Sequence, residues 1–356
     1  MSARRALITG VAGQDGSYLA ELLLDRGYEV FGIVRGSPLV RYPNLARVQD
    51  DIHLLQGDLL DQMTMLDALT TSRPHELYNL AATSFVPASW RQPVMTAQFT
   101  AVGVTSMLEA VRITNPELRV YQASTSEMFG ATSESPQNEL TPFVPHNPYA
   151  VAKLYGHLMV STYRERYGMH ASSGILYNHE SPRRPPEFVS RKITRTAAAI
   201  KLGLADELPL GDLDARRDWS FAGDVAVAMW LMLQQDAGDD YVVCSGVSRT
   251  VRELVETAFA VVGLDADAHI VINKEFVRPS DPVSLVGDPS KARARLGWEP
   301  RTSFEDLIRM MVENDLQELS ASAARSDVVH CRRIGRFREE LSATCTAPDV
   351  AQRPVR

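Results

Sequence analysis

The chain has 356 residues, 45% hydrophobic and 23% charged, which suits a globular protein large enough for one big α/β domain or two domains. Its net charge of −7 argues against general nucleic-acid affinity, which needs an excess of Lys and Arg. Cys244, Cys331 and Cys345 lack metal-ligand or redox spacing and the eight histidines do not cluster, so neither a disulfide framework nor a bound metal is expected.

The N-terminus, "MSARRALITGVAG", runs straight into a strand and a glycine loop without a signal-peptide pattern. No apolar stretch reads as long enough to span a bilayer. A cytoplasmic, reduced setting is therefore expected, with no membrane and no nucleic acid among the partners.

In chain order, "RALITGVAGQDGSYLAELLLDRGYEVFGIVRG" reads as strand, glycine turn, helix, strand. Residues 6–8 form a short buried strand, 17–26 a helix with Leu19, Leu22 and Leu23 at helical spacing, and 30–34 the next strand. The apolar runs "IHLLQGDLLD", "ELYNLAAT" and "LRVYQAST" follow, separated by helical segments that include "GVTSMLEAVRIT" and "AVAKLYGHLMVSTYRERYG". This alternation predicts an α/β protein with a Rossmann-like doubly wound parallel sheet.

After "SGILYN" the stretches "HESPRRPPEFVSRKITR" and "LGDLDARRDWSF" read as ligand-facing loops and helices over the carboxyl ends of the strands. They belong to a smaller, mostly α C-terminal substrate domain. The expected division is residues 1–176 for the cofactor domain, with about 217–245 returning to it, and 177–216 with 246–318 for the substrate domain. Residues 319–356 read as a tail with one helix around "GRFREELS".

Gly10, Gly13 and Gly16 form a G-x-x-G-x-x-G loop between the first strand and helix. One glycine permits the tight turn, another lets backbone approach a pyrophosphate, and a third lets helix and strand pack closely. The helix N-terminus adds free N–H groups and the positive end of its dipole. Gln14 and Asp15 lie inside this loop and join the candidate cofactor set. At the end of the second strand Arg35 stands where a dinucleotide site for NAD has an acid, and its planar fork suits a 2′-phosphate, which favours NADP over NAD. Asp58 and Leu59 end the third strand, where an adenine edge contact is expected.

Tyr149 and Lys153 are one helical turn apart and share a face. A neighbouring ammonium is expected to stabilise the phenolate and bring Tyr149 down toward a working pH as a base. Thr125, Ser126 and Glu127 sit at the carboxyl end of an earlier strand, and Glu127 adds a carboxylate that a simple Tyr/Lys dehydrogenase does not need.

With "ALITGVAGQDGSYLAE", "YNLAATSFVPASW", "QASTSEMFG", "PYAVAKLYGH", "NHESPRR", "FVSRKITR" and "LGDLDARRDW", the chain resembles the extended short-chain dehydrogenases that act on nucleotide sugars. Within them it is most similar to the GDP-mannose 4,6-dehydratase family. That resemblance implies a catalytic set of Thr125, Glu127, Tyr149 and Lys153. Tyr149 would take the proton of the mannose 4-hydroxyl while hydride leaves carbon 4; Glu127 would remove the carbon 5 proton and help expel water from carbon 6. The hydride then returns to carbon 6. It further implies that Leu80, Ala81, Ala82 and Ser84 line the cofactor, with His179 and Arg184 near its nicotinamide end. Ser126, Asn178, Val189, Lys192, Arg217 and Arg278 would serve the sugar nucleotide, and the working unit would be a homodimer or homotetramer. The chain departs from the family pattern at Gly36, where a second Arg is usual, at Met95 and at Pro185. Two other readings stay open: a related nucleotide-sugar dehydratase, epimerase or reductase acting on another sugar, and a non-catalytic nucleotide-sugar binding protein.

Overall fold

The computed structural model describes residues 3–273, 276 and 285–344. Its strands are β1 (Arg5–Thr9), β2 (Glu29–Val34), β3 (Ile52–Gln56), β4 (Glu76–Asn79), β5 (Arg119–Thr125), β6 (Ala171–Leu176), β7 (Asn178–Glu180), β8 (Leu208–Leu210), β9 (Arg216–Phe221), β10 (Asp240–Val243), β11 (Ser248–Thr250) and β12 (Ile270–Ile272). Seven of them form one parallel sheet in the order β10-β6-β5-β4-β1-β2-β3. The reversal of strand order beside β1 is the switch point at which doubly wound sheets bind ligands.

Both faces of the sheet are covered, which explains why its strands read as continuous apolar runs rather than alternating ones. On one face Leu19 and Leu23 of the helix Gln14–Asp25 pack with Val225 and Met229 of the helix Ala222–Met232. On the other, Met65, Met107, Leu108 and Val160 come from three further helices. Side chains of this size stabilise by roughly 1.5–3 kcal/mol each when fully buried.

A third core lies over the C-terminal part. Ile193, Leu254, Phe259, Ile308 and Val312 come from the helices Val189–Lys201, Val251–Val262 and Phe304–Thr344, packed with the pair β8–β12. A separate three-stranded sheet in the order β11-β9-β7 stands beside it.

Three expectations change. The segment expected to return to the large sheet from about 217 does so only from Ala222, because β9 pairs with β7 and β11. The expected tail from 319 begins inside one helix, Phe304–Thr344. Leu307, Ile308, Met311 and Val312 are buried and nucleate it, and no proline interrupts it, so adding each residue is cheap.

The third concerns the membrane. The run Pro93–Thr114 is one helix of 22 residues with mean hydropathy 1.2, long and apolar enough to cross a bilayer by length and composition. A π-helical turn at Gln98–Val102 joins two pieces that look separate in the sequence. More than half of it is buried, with Met107, Leu108 and Val111 in the core beneath the sheet.

Candidate active site

From the carboxyl ends of β1 and β4 to the middle of β5 a polar seam crosses the sheet. The Thr9 hydroxyl donates to Asn79 Oδ1 at 2.6 Å, and Asn79 Nδ2 donates to Gln122 Oε1 at 2.7 Å. These residues are register partners, so the sheet itself aligns them. Thr9 Oγ1 also accepts the N–H groups of Leu80 and Ala81, at 3.1 and 3.2 Å. The segment after β4 is thereby tied against the glycine loop.

Gly10 turns the chain with φ +69°, and a Cβ there would lie 3.0 Å from the Ala81 nitrogen. The Gly13 N–H closes the turn on the Gly10 carbonyl at 2.9 Å. The helix starts at Gln14, three residues earlier than the pattern indicates, and Gly16 therefore lies in its first turn. A Cβ on Gly16 would come within 2.6 Å of Val11 Cα. Gly13 caps the helix without a side-chain bond, which leaves first-turn N–H groups for a ligand.

Beside the loop a cleft of about 330 Å³ is lined by Gly10, Gly13, Arg35, Tyr42, Leu59, Ala81, Ala82 and Phe99. Arg35 is exposed at the tip of β2, its guanidinium 5.2 Å from the Phe99 ring centre. Asp58 is turned inward on its own loop, accepting the Leu60 N–H at 3.0 Å, while Ser84 is exposed just past the cleft. A cradle with no room for a Cβ, an uncapped helix N-terminus and a cleft running on to Arg35 fit a dinucleotide.

Farther along the sheet edge β5 delivers Thr125, and a 3-10 turn over Ser126–Met128 turns Glu127 toward the helix Pro148–Tyr167. Thr125 Oγ1 accepts the Glu127 N–H at 3.3 Å. Ser126 is buried behind this turn. Tyr149 and Lys153 are both buried on the facing side of the helix, the Lys153 Nζ lying 5.8 Å from the Tyr149 ring centre.

The expected ammonium-to-phenol arrangement is not what this structure holds. Lys153 Nζ donates to the Ala123 carbonyl at 2.7 Å. Burial pushes the Tyr149 phenol well up and the nearby Glu127 charge adds to this, while Thr125 pulls the other way. Burial pushes Lys153 down to about 8, with the Asp15 charge opposing the shift.

Asp15 is the hub of a second cluster. His179 Nε2 lies 2.9 Å from Asp15 Oδ2, and His179 Nδ1 lies 2.7 Å from the Tyr177 carbonyl. The Gln14 side chain donates to the His179 carbonyl at 3.1 Å and accepts from Ser181 at 2.8 Å. Gln14 and Asp15 thus fasten the glycine loop to β7 through their side chains. Arg184 forms an ion pair with Glu180 at 3.1 Å and stacks on Phe188 at 3.6 Å, and its charge reaches both Asp15 and Tyr149.

Asn178 and Arg217 fall in one small sheet, where β7 and β9 pair with Asn178 opposite Trp219. Val189 and Lys192 occupy the first turn of the helix Val189–Lys201, and Lys192 Nζ is 3.9 Å from the Phe276 ring centre. Arg278 lies outside the described residues. No group of three His, Cys, Asp or Glu side chains converges on a metal position among the described residues.

Two participants are absent from the sequence reading. Asn147 donates from Nδ2 to Glu127 Oε2 at 3.0 Å; its signal was available, an Asn before Pro at a helix start just ahead of Tyr149. Asn44 reaches from the loop after β2 to the Ala12 carbonyl at 3.1 Å, and nothing periodic marks it.

A Rossmann sheet, a glycine-rich dinucleotide cradle and a buried Tyr/Lys helix beside it define an enzyme of the short-chain dehydrogenase class. A family model described as GDP-mannose 4,6 dehydratase matches residues 7–311. The chain is 48% identical to GDP-mannose 4,6 dehydratase 1 of Arabidopsis thaliana, over 88% of this chain and 90% of that one. It is 46% identical to GDP-mannose 4,6-dehydratase of Sinorhizobium fredii, with 88% and 97% covered. Among solved structures, a UDP-glucose 4-epimerase of Thermus thermophilus in complex with NAD superposes with TM-score 0.76 at 28% identity, covering 87% and 98%. RMD of Pseudomonas aeruginosa complexed with NADPH gives TM-score 0.75 at 25% identity, covering 89% and 100%. The chain belongs to the GDP-mannose 4,6-dehydratase family.

Proposed function

We propose that this chain is a nicotinamide-dependent nucleotide-sugar 4,6-dehydratase that converts GDP-mannose to GDP-4-keto-6-deoxymannose with loss of water. The observation that carries this reading is Glu127, a half-buried carboxylate whose charge is felt at the Tyr149 phenol. Oxidation at one carbon needs the Tyr/Lys pair; elimination at the next needs a further acid/base group.

A nicotinamide dinucleotide along the glycine loop supplies, when bound, a cationic ring and the reversible redox exchange between carbon 4 and carbon 6. Gly10, Gly13 and Gly16 would cradle its pyrophosphate, Leu80, Ala81, Ala82 and Ser84 would line it, and His179 and Arg184 would stand near its nicotinamide end. We take it to be NADP, since Arg35 stands at the tip of β2 with no acid beside it in "VRGS". Tyr149 would receive the proton of the 4-hydroxyl as its phenolate, the form that burial disfavours in the ligand-free chain and a bound nicotinamide cation would favour, and Thr125 would hydrogen-bond the 4-oxygen. The carbonyl formed at carbon 4 acidifies the carbon 5 proton. Glu127 would remove that proton and pass it to the departing hydroxyl of carbon 6, and the proton taken up by Tyr149 would return to carbon 5 as hydride adds to carbon 6. Lys153, with its ammonium fixed on Ala123, holds the ribose. Ser126, Asn178, Val189, Lys192 and Arg217 hold the sugar nucleotide, the cations facing its diphosphate.

The same reading keeps the division into a dinucleotide part at 1–176 and a substrate part at 177–216 and 246–318, and a cytoplasmic setting in which buried Cys244 stays a thiol. It also takes the working unit as a homodimer. Val151, Tyr155 and Leu158 are exposed on one face of the helix Pro148–Tyr167, and Thr105 ties Tyr155 to the neighbouring helix at 3.1 Å, beside exposed Val102. Leu158→Arg should yield monomers in sedimentation.

The deciding experiment incubates the protein with GDP-mannose and NADP and weighs the nucleotide sugar. Loss of one water, abolished by Glu127→Gln, is the expected outcome. An unchanged mass with ligand bound would reject the dehydratase and point to mass-neutral epimerisation.

A further inference from the structure

Asn147 closes the N-terminus of the helix that carries Tyr149 and Lys153. Its Oδ1 accepts the Ala150 N–H at 2.8 Å, and Pro148 takes the first helical position. The other end of the same amide, Nδ2, donates to Glu127 Oε2 at 3.0 Å. Asn147 is 4% exposed, so water does not replace either bond. The two contacts fix the amide's orientation, since reversing it would set N–H against N–H and oxygen against carboxylate.

A helix cap alone does not require this residue. Ser and Asp cap as well as Asn, because capping uses only an acceptor oxygen. What Asn adds here is the N–H turned toward Glu127, a directional bond that holds Oε2 in place. We propose that Asn147 is a positioning residue that holds the Glu127 side chain against the Tyr149/Lys153 helix, so that both acid/base groups meet the same sugar ring in fixed register. The inference rests on the dehydratase reading. It assigns to one amide the coupling between the oxidation machinery on the helix and the elimination machinery on the turn after β5.

Two substitutions separate this from a capping role. Asn147→Ser keeps an acceptor for Ala150 and removes the N–H to Glu127. Asn147→Asp keeps the cap and sets a like charge against Glu127. In single-turnover reactions with GDP-mannose and NADP, reduced-nicotinamide absorbance follows oxidation at carbon 4 and mass follows loss of water. Both variants should oxidise within about 3-fold of the parent yet lose water about 10- to 100-fold more slowly, the Asp variant more slowly than the Ser. Reduced cofactor should then accumulate where it does not in the parent. In a Glu127→Gln background, Asn147→Ser should add no further loss of elimination.

An equal fall in both steps, or elimination at the parent rate in both variants, would overturn the positioning role and leave the dehydratase reading intact. A parent chain that neither reduces cofactor nor loses water would overturn the dehydratase reading and this inference with it.

Discussion

His179 Nε2 lies 2.9 Å from Asp15 Oδ2, an ion pair between residues on β7 and on the first turn of the glycine-loop helix. Burial raises the Asp15 carboxyl, but His179 and further donors outweigh it and hold Asp15 at about 2. Burial lowers His179, and Asp15 more than reverses this, so the imidazole ends above its ordinary 6.5. The Asp15 contribution to stability is complete above 3.8 and is lost as pH falls toward 2; the His179 contribution is complete below 6.5 and is lost as pH rises through its raised value. His179→Ala should therefore cost roughly 2 kcal/mol near neutral pH, discounted for the partial exposure of Asp15. Urea unfolding at several pH values checks this: the gap between parent and variant should shrink at alkaline pH.

Lys153 gives a pH dependence of opposite sign. Burial holds it near 8 in the folded chain against 10.5 for the free side chain, so the unfolded state binds more protons between those values and stability from this group rises with pH across that window. Lys153→Met should remove the rise in ligand-free protein. Turnover should fall by about 100-fold or more, since the ammonium proposed to hold the ribose is also lost. Parallel denaturation curves and a pH–rate profile give both readouts.

Gly16→Ala tests the cradle. The added methyl would sit 2.6 Å from Val11 Cα, a backbone atom that cannot turn away. Relief requires the helix and loop to separate, at an expected cost of about 1–3 kcal/mol in stability. Dinucleotide affinity should fall in the same variant, which a thermal melt and a cofactor titration would measure together.

Arg35→Ala addresses cofactor choice. With Arg35 exposed at the cleft, loss of its fork should weaken NADP by about 10- to 100-fold and NAD by little. Equal weakening of both in a calorimetric titration would move the 2′-phosphate contact elsewhere.

Much of the site was legible because its parts are local. The glycine loop, the "STSE" turn and the Tyr149/Lys153 helix each lie within one strand-turn-helix step, and their spacing alone sets which side chains share a face. Periodicity likewise read the doubly wound sheet, while the uninterrupted helix Phe304–Thr344 escaped it, because cooperative extension from a packed first half leaves no local mark.

Tertiary structure alone decided what those groups bond to. Ala123, thirty positions before Lys153, takes the ammonium that one-turn spacing offered to the phenol, and burial rather than charge then sets Tyr149. Asp15 meets His179 across 164 positions, and Asn147 meets Glu127 across 20. Such pairs carry no period in the sequence. They form because packing the sheet, the turn and the helix brings buried polar groups together that water no longer serves.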